Sequence, residues 1–530
     1  MHRRKPAGRR AGAIVLTVLS AVIRPAAQEG PVTAPSPLGI VSAVESTLAH
    51  HPVLEAQRLQ VTISRAVKQQ RTGLFDTAFE AAASDTYTKS PTSDAEKAAA
   101  LAAGVPVRAF AENVFGVRAS AQKLTRSGIT FGPTLSLDRV TDNGSVLDGL
   151  NRARIGFDAS VPLLQGRGRL VVAGPETIAS LQVEASSYDL GQQASDLVLG
   201  TATSYWQYVA ALRQLEFATE SEARGLEYLQ AVKTLVEADR LPRAEVSQAQ
   251  ANFDSSAAGR YGLEQQVVEA RTALALAMGL TADQVTLMPP PVDALPAFLG
   301  EVPPSSDRLP AFVALALARR ADVLASGRKL QAADVQRTLA ADRVRSRLDL
   351  TLSTGVSNLR AGRGADDLIA SPFTGGAGAD AVVGVRWGRT ASNTTALGER
   401  AEAEASYRQA VWLHTDRTRS ISAGVVNAVT ALQHGYARLS KAAAAVTGYE
   451  SALEGERDKL RLGLGSITDL LTVEGRLNGA LTDLLAAQQA YAIGIVRLRY
   501  ACGTLVDPLD PRVPPRDVFF RPEPGAGGQP

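Results

Sequence analysis

Residues able to do chemistry are few in this chain of 530. Cys502 is the only cysteine, so the chain can form no intrachain disulfide and no cysteine-cluster metal site. The five histidines are His2, His50, His51, His414 and His434. His50 and His51 are adjacent, so on a helix they would point in different directions and make a poor metal pair; they read as loop or cap residues. The GRGR stretch (166–169) lacks the Lys-Ser/Thr ending of a phosphate-binding loop. No nucleophile, base and acid stand at a working spacing, so catalysis is not expected and no cofactor or metal site is expected. Two carboxylates remain, Glu245 and Asp469, each just after a compact turn. Negative charge suits the start of a helix through the backbone dipole, and that alone explains both residues.

The charge balance names no partner. Lys plus Arg number 56 and Asp plus Glu 53, a net +3, far from the strongly basic surface of a nucleic-acid binder, so nucleic acid is not an expected partner. The composition, 45% hydrophobic and 21% charged, excludes both a disordered polyelectrolyte and a multispan helical membrane protein.

Stepping the sequence against itself by 224 residues sets Gly279 on Gly503, Met278 on Cys502, Leu215 on Leu439, Leu229 on Leu453, Glu245 on Asp469 and Val246 on Leu470. At an offset near 270, HHPVLEAQRLQ (50–60) falls beside RADVLASGRKLQ (320–331). The two offsets predict two internal repeats, 38–290 and 310–506, with about 46 more residues inside the first. The Pro-rich 291–309 reads as the linker. Within each repeat the order is helix, strands, then two long helices. Opening helices are expected over 39–70 and 310–345. The period then changes to two: Ile155, Phe157, Ala159 and Val161 alternate with other residues, as do Leu348, Leu350 and Leu352, and Val383, Val385 and Trp387. FGVRASAQKL (115–124) and ITFGPTLSLDRV (129–140) read as an extra hairpin that accounts for much of the surplus. Residues 91–113 and 360–381 read as long surface loops. Each strand signal is weak, as in membrane strands, and a soluble sheet edge would read the same way.

Helical tracts of unusual length follow the strands, 176–239 and 396–463, with no proline inside either. At 1.5 Å per residue each could reach about 100 Å. Val425, Val429, Leu432, Tyr436 and Leu439 form one narrow apolar stripe, and Trp206, Val209, Leu212 and Leu215 another. Such alanine-rich helices bury little alone and are expected to pair within the chain and across subunits.

The first 30 residues place Arg and Lys ahead of a short apolar run and then small residues, the order of a secretory signal peptide covering 1–27, with a cut near Ala27. A short N-terminal anchor is the alternative. No later stretch reaches 18 consecutive apolar residues, so a protein that enters a membrane must do so as a β-barrel. The Pro/Gly-rich 507–530 reads as a mobile tail.

SVPLLQGRGR (160–169), where a strand passes into a long helix, LGLGSITDLL (462–471), a helix-hairpin tip, and ADRLPRAEVSQAQANFD (238–254), the other tip, resemble the TolC-like outer-membrane efflux and secretion channels. The resemblance covers about 39–505. The chain departs from that family's pattern at Asp239, where a glycine is usual, and in having no proline before RTASNTTALGER. The resemblance implies a mixed α and β membrane protein, a long periplasmic helical coiled-coil barrel joined to an outer-membrane β-barrel. It implies a homotrimer in which each subunit gives four strands to one 12-stranded barrel. It also implies a passive duct, in the cell outer membrane with its helical part in the periplasm, that serves a tripartite efflux or type I secretion system. The implied partners are outer-membrane lipid, a periplasmic adaptor (membrane fusion) protein and an inner-membrane RND or ABC transporter. Glu245 and Asp469 match positions that narrow the periplasmic aperture; Arg240, Leu241, Gly463, Leu464, Gly465 and Ser466 match the tips that meet the adaptor. A soluble periplasmic coiled-coil scaffold without a pore is the other reading, separable by membrane fractionation.

Overall fold

The computed structural model describes residues 38–104, 109–142, 149–296, 303–362, 364–374, 376–462, 464 and 467–522. The expected signal segment lies outside these residues. The chain opens with α1 (Ile40–His50) and α2 (Pro52–Thr72), then β1 (Thr77–Pro91), a short α3 (Asp94–Ala102), β2 (Ala109–Leu124), β3 (Thr130–Asp142) and β4 (Leu150–Pro162). A single turn, α4 (Arg169–Val172), leads into α5 (Gly174–Glu237), which pairs with α6 (Ala244–Ala277), followed by α7 (Ala282–Leu287). The second half brings α8 (Leu309–Arg319), α9 (Ala321–Arg343), β5 (Arg347–Ala361), α10 (Ala365–Ala370), β6 (Gly376–Gly388), α11 (Thr394–Arg461) and α12 (Ile467–Ala501).

Each opening helix is broken once, the first at His51 and the second at Arg320. A proline follows His51, which keeps that residue extended (φ −67°, ψ 122°), and its ring Nδ1 accepts the Val53 amide as a cap, 3.2 Å away. Arg320 takes the same conformation between α8 and α9. A glycine packs against each break: a Cβ on Gly279 (φ +77°) would meet the His51 Cα at 2.9 Å, and one on Gly503 (φ +68°) the Arg320 nitrogen at 3.0 Å. Only glycine combines that approach with a left-handed backbone.

At 64 and 68 residues, α5 and α11 are the long rods. The α11 stripe is in the core: Val425, Val429, Leu432 and Leu439 are buried with Ile495, Leu498 and Phe312, and Tyr436 packs on them. A second core gathers Tyr205 and Trp206 of α5 with Ile40, Val44 and Phe519. Asp293 ties this region together. Its buried carboxylate accepts the Ile40 amide at 2.7 Å and the Tyr205 hydroxyl at 2.8 Å, and pairs with Arg516.

Two expectations change here. The segment after 506 is not free through 522: Phe519 is fully buried, and Phe520 stands edge-on to Trp206 at 5.5 Å. Apolar VFF (518–520) outweighs the proline content around it, because proline fixes φ without preventing docking. Residues 523–530 lie outside the described set. The stretches 91–113 and 360–381 are also less loop than composition suggests, since β1, β2, β5 and β6 all extend into them and α3 and α10 cap the connections. Ser93 and Glu96 form a reciprocal capping box that starts α3.

The strands form one antiparallel sheet in the order β1-β2-β3-β4-β5-β6. Among the described residues there are six strands, where the resemblance implies four. β2 and β3 are the expected extra hairpin; β1 was not legible, because TAFEAAASDTYTKSP carries mostly Ala, Ser and Thr and shows little alternation.

Candidate functional site

The two helix hairpins end in turns closed by the same hydrogen bond. At the α5–α6 tip the Arg240 amide reaches back to the Leu235 carbonyl (2.9 Å) and the Asp239 amide to Val236 (3.1 Å), a Schellman closure. This requires a left-handed residue, and Asp239 supplies it at φ +53°. Aspartate tolerates that region better than most non-glycine residues, so the departure at Asp239 still yields a regular tip. At the α11–α12 tip the Leu464 amide bonds the Lys459 carbonyl at 2.9 Å. Counting 224 residues on from Leu235 and Arg240 gives Lys459 and Leu464. Gly463, Gly465 and Ser466 lie outside the described residues.

Of the tip residues, Arg240 is exposed and Leu464 is 79% exposed. Leu241 is half-buried against Leu229, Val232 and Ala249, so it also closes the hairpin's own small core. Glu245 stands in the first turn of α6, half-buried, and Asp469 in the first turn of α12, exposed. Burial and then the Glu245 charge push the Tyr228 phenol up. The hydrogen bond that Lys459 donates to Glu456, with a smaller contribution from the Asp469 charge, holds Lys459 protonated above the usual lysine range.

A polar tie joins the hairpins above the tips. Arg224 of α5 pairs with Glu474 of α12 at 2.6 Å and donates to Asn478 at 3.1 Å, while Asn478 reaches Ser221 at 3.3 Å. Glu474 is thereby neutralised locally. Sequence reading passed over Arg224, since nothing in one chain's spacing shows which residue 250 positions away will face it.

At the other end the sheet has two chemically different faces. Ala81, Ala119, Leu135, Ile155, Val356 and Ala379 are register partners in one row across all six strands. One residue along, Ala82, Arg118, Ser136, Arg154, Ser357 and Gly378 form the next row on the opposite face. Arg154 there spans three strands, pairing with Asp380 at 2.8 Å and donating to Ser353 at 3.1 Å. Phe79, Val383, Val385 and Trp387 are exposed on the apolar side. No helix among the described residues is long and apolar enough to cross a membrane, and this apolar sheet face is the surface suited to lipid.

Sheet and helices meet at a junction built on glycine and asparagine. Gly168 (φ +93°) precedes α4, and Asn393 (φ +47°) precedes α11 in the second half, its side chain donating to the Val344 carbonyl at 3.1 Å. Asn393 makes the turn without the missing proline.

A family model described as "Outer membrane efflux protein" matches residues 117–280 and 312–504. The chain belongs to that family. Outer membrane efflux proteins are transport channels, and the protein's place is the cell outer membrane with its helical part in the periplasm. Among solved structures the fold is similar to the outer-membrane channel OprN, at 18% identity and a TM-score of 0.62, over 88% of this chain and 89% of that one. It is also similar to the outer membrane protein VceC of Vibrio cholerae (17%, TM-score 0.60, 88% and 96%) and the CmeC outer membrane channel of Campylobacter jejuni (15%, TM-score 0.61, 89% and 87%). No curated protein matches the chain by sequence. Among the described residues no group of three His, Cys, Asp or Glu is placed to hold a metal ion. His51 is a helix cap, and Cys502 is buried in the α11 core with Ile495 and Leu498, its thiol pushed up to about 11 by burial.

Proposed function

We propose that three copies of this outer membrane efflux protein assemble into one passive exit duct, fed by an inner-membrane RND or ABC transporter through a periplasmic adaptor, in tripartite efflux or type I secretion. The observation that supports it most is the open sheet. β1 and β6 are long strands, exposed along nearly their whole length, and they do not pair with each other. Unpaired strand edges are intolerable in lipid. β1 runs away from the helices and β6 back toward them, so β6 of one copy meets β1 of the next in antiparallel fashion and the ring closes with no free edge.

In this reading the chain arose by duplication, the two units being 38–290 and 310–506. The paired breaks at His51 and Arg320, each packed on a left-handed glycine, support it. Threefold symmetry places Glu245 and Asp469 in two carboxylate rings at the periplasmic aperture, which attract cations and raise the barrier to anions. Arg240, Leu464 and the neighbouring Leu241, Gly463, Gly465 and Ser466 are the adaptor-facing tips. A wide water-filled tube selects its cargo by size and charge instead of by a fitted pocket.

Deleting the gene is expected to sensitise cells to toxic compounds or to block export of a secreted product, with rescue by the intact gene. Unchanged sensitivity and secretion contradict the proposal. Recovery of the protein in the soluble fraction favours the pore-free scaffold.

A further inference from the structure

We propose that β2 and β3 are part of the barrel wall, so that three copies close an eighteen-stranded barrel in place of a twelve-stranded one. This rests on the trimeric duct reading and specifies its bore.

Three observations carry it. First, the hairpin is in phase with the rest of the sheet. Ala119 and Leu135 lie in the apolar row between Ala81 and Ile155, and Arg118 and Ser136 lie in the polar row beside Arg154. A hairpin folded away from the wall would have no reason to keep one face suited to lipid and the other to water. Second, β1 pairs with β2 along its full length, from Thr77↔Lys123 to Pro91↔Ala109, and β3 pairs with β4 from Thr130↔Ser160 to Val140↔Leu150. Removing the hairpin from the wall would break both ladders. Third, the β2–β3 turn is docked onto the helical layer. The Gly168 amide donates to the Ser127 carbonyl at 3.1 Å, and Gly128 (φ +98°) sits where a Cβ would come within 2.5 Å of the Gly166 carbonyl oxygen. Arg126 forks onto Glu176 at the start of α5 and lies over the Phe75 ring at 4.7 Å.

The helices explain why this widening fits. β1, β4, β5 and β6 adjoin α2, α5, α9 and α11, and these helices are neighbours in that order, α2 packing directly on α5. The inserted strands therefore broaden the sheet without broadening the helical layer. Strands about 4.8 Å apart and tilted about 40° put eighteen on a cylinder about 36 Å across, backbone to backbone, against about 24 Å for twelve. Twelve helices spaced about 8–10 Å form a ring about 31–38 Å across. Eighteen strands match that ring, so the duct keeps its width through the outer membrane.

The direct test is electron cryomicroscopy of the full-length protein, matured in cells and placed in a lipid nanodisc, with strands counted in cross-section. Eighteen are expected. A trimer with twelve overturns this inference and leaves the duct standing; a monomer without a closed barrel overturns both. Labelling by a membrane-impermeant thiol reagent gives a second readout, since the native Cys502 is buried. Ser136→Cys should label through the lumen and Leu137→Cys should be protected by lipid. Equal labelling of the two overturns the placement of β3 in the wall.

Discussion

Arg126 grips Glu176 with two parallel hydrogen bonds, Nε to Oε2 and Nη2 to Oε1, each 2.8 Å. Glu176 also accepts from Thr72 at 3.1 Å. One carboxylate thus joins the inserted strand turn, the end of the opening helix and the start of the long one.

That contact makes the junction acid-sensitive. The Arg126 hydrogen bonds hold the Glu176 carboxyl below the usual carboxylate range. Folding lowers its pKa, so the stabilisation is complete above the unfolded value and is lost as pH falls through the folded one. Arg126→Ala or Glu176→Gln is expected to speed protease cleavage within 125–129 severalfold at neutral pH. Wild type should approach the variants only in acid. Equal cleavage of wild type and variants at neutral pH contradicts the dock.

At the first tip the left-handed backbone of Asp239 is a strain that glycine would relieve. Asp239→Gly is expected to stabilise the turn by about 0.5–1 kcal/mol and Asp239→Val to weaken it by more. Hydrogen exchange at the Arg240 amide, which bonds the Leu235 carbonyl, should slow in the first and quicken in the second. The opposite order rules out the turn geometry described.

The Arg224–Glu474 pair spans the two hairpins, so its energy should show as coupling. A double-mutant cycle with Arg224→Ala and Glu474→Ala is expected to give about 1 kcal/mol, and Arg224→Lys should recover only part because it loses the planar fork. Zero coupling would mean the hairpins are held by apolar contact alone.

The carboxylate rings predict ion selectivity. In planar bilayers Asp469→Asn should lower the preference for cations over anions roughly twofold, and Glu245→Gln added to it should lower it further. Selectivity identical to wild type would assign both carboxylates to the helix starts and nothing more.

The helical part of the fold was legible because long stripes such as Val425 to Leu439 repeat at helical spacing and because Gly279 and Gly503 recur at a fixed offset. The hairpin 115–140 was legible from alternation. β1 was not, since its outward row mixes Phe79, Ala81, Ala83, Asp85, Tyr87 and Lys89 with no run of apolar residues, and a strand held by ladder bonds to β2 needs no hydrophobic signature of its own. The docking of 518–520 was missed for the opposite reason: three apolar residues are too short a signal beside many prolines. The tip residues could be named from their turns. Their partners could not, because Arg224 and Glu474, or Arg126 and Glu176, become neighbours only once the helices pair.

The central claim is that this chain cannot close its barrel alone and completes it with two more copies. Native mass spectrometry of the protein extracted from the outer membrane in mild detergent tests it most directly. The account predicts a single species of three chains, with no folded protein in the water-soluble fraction. A stable, folded, water-soluble monomer of the mature chain would contradict it.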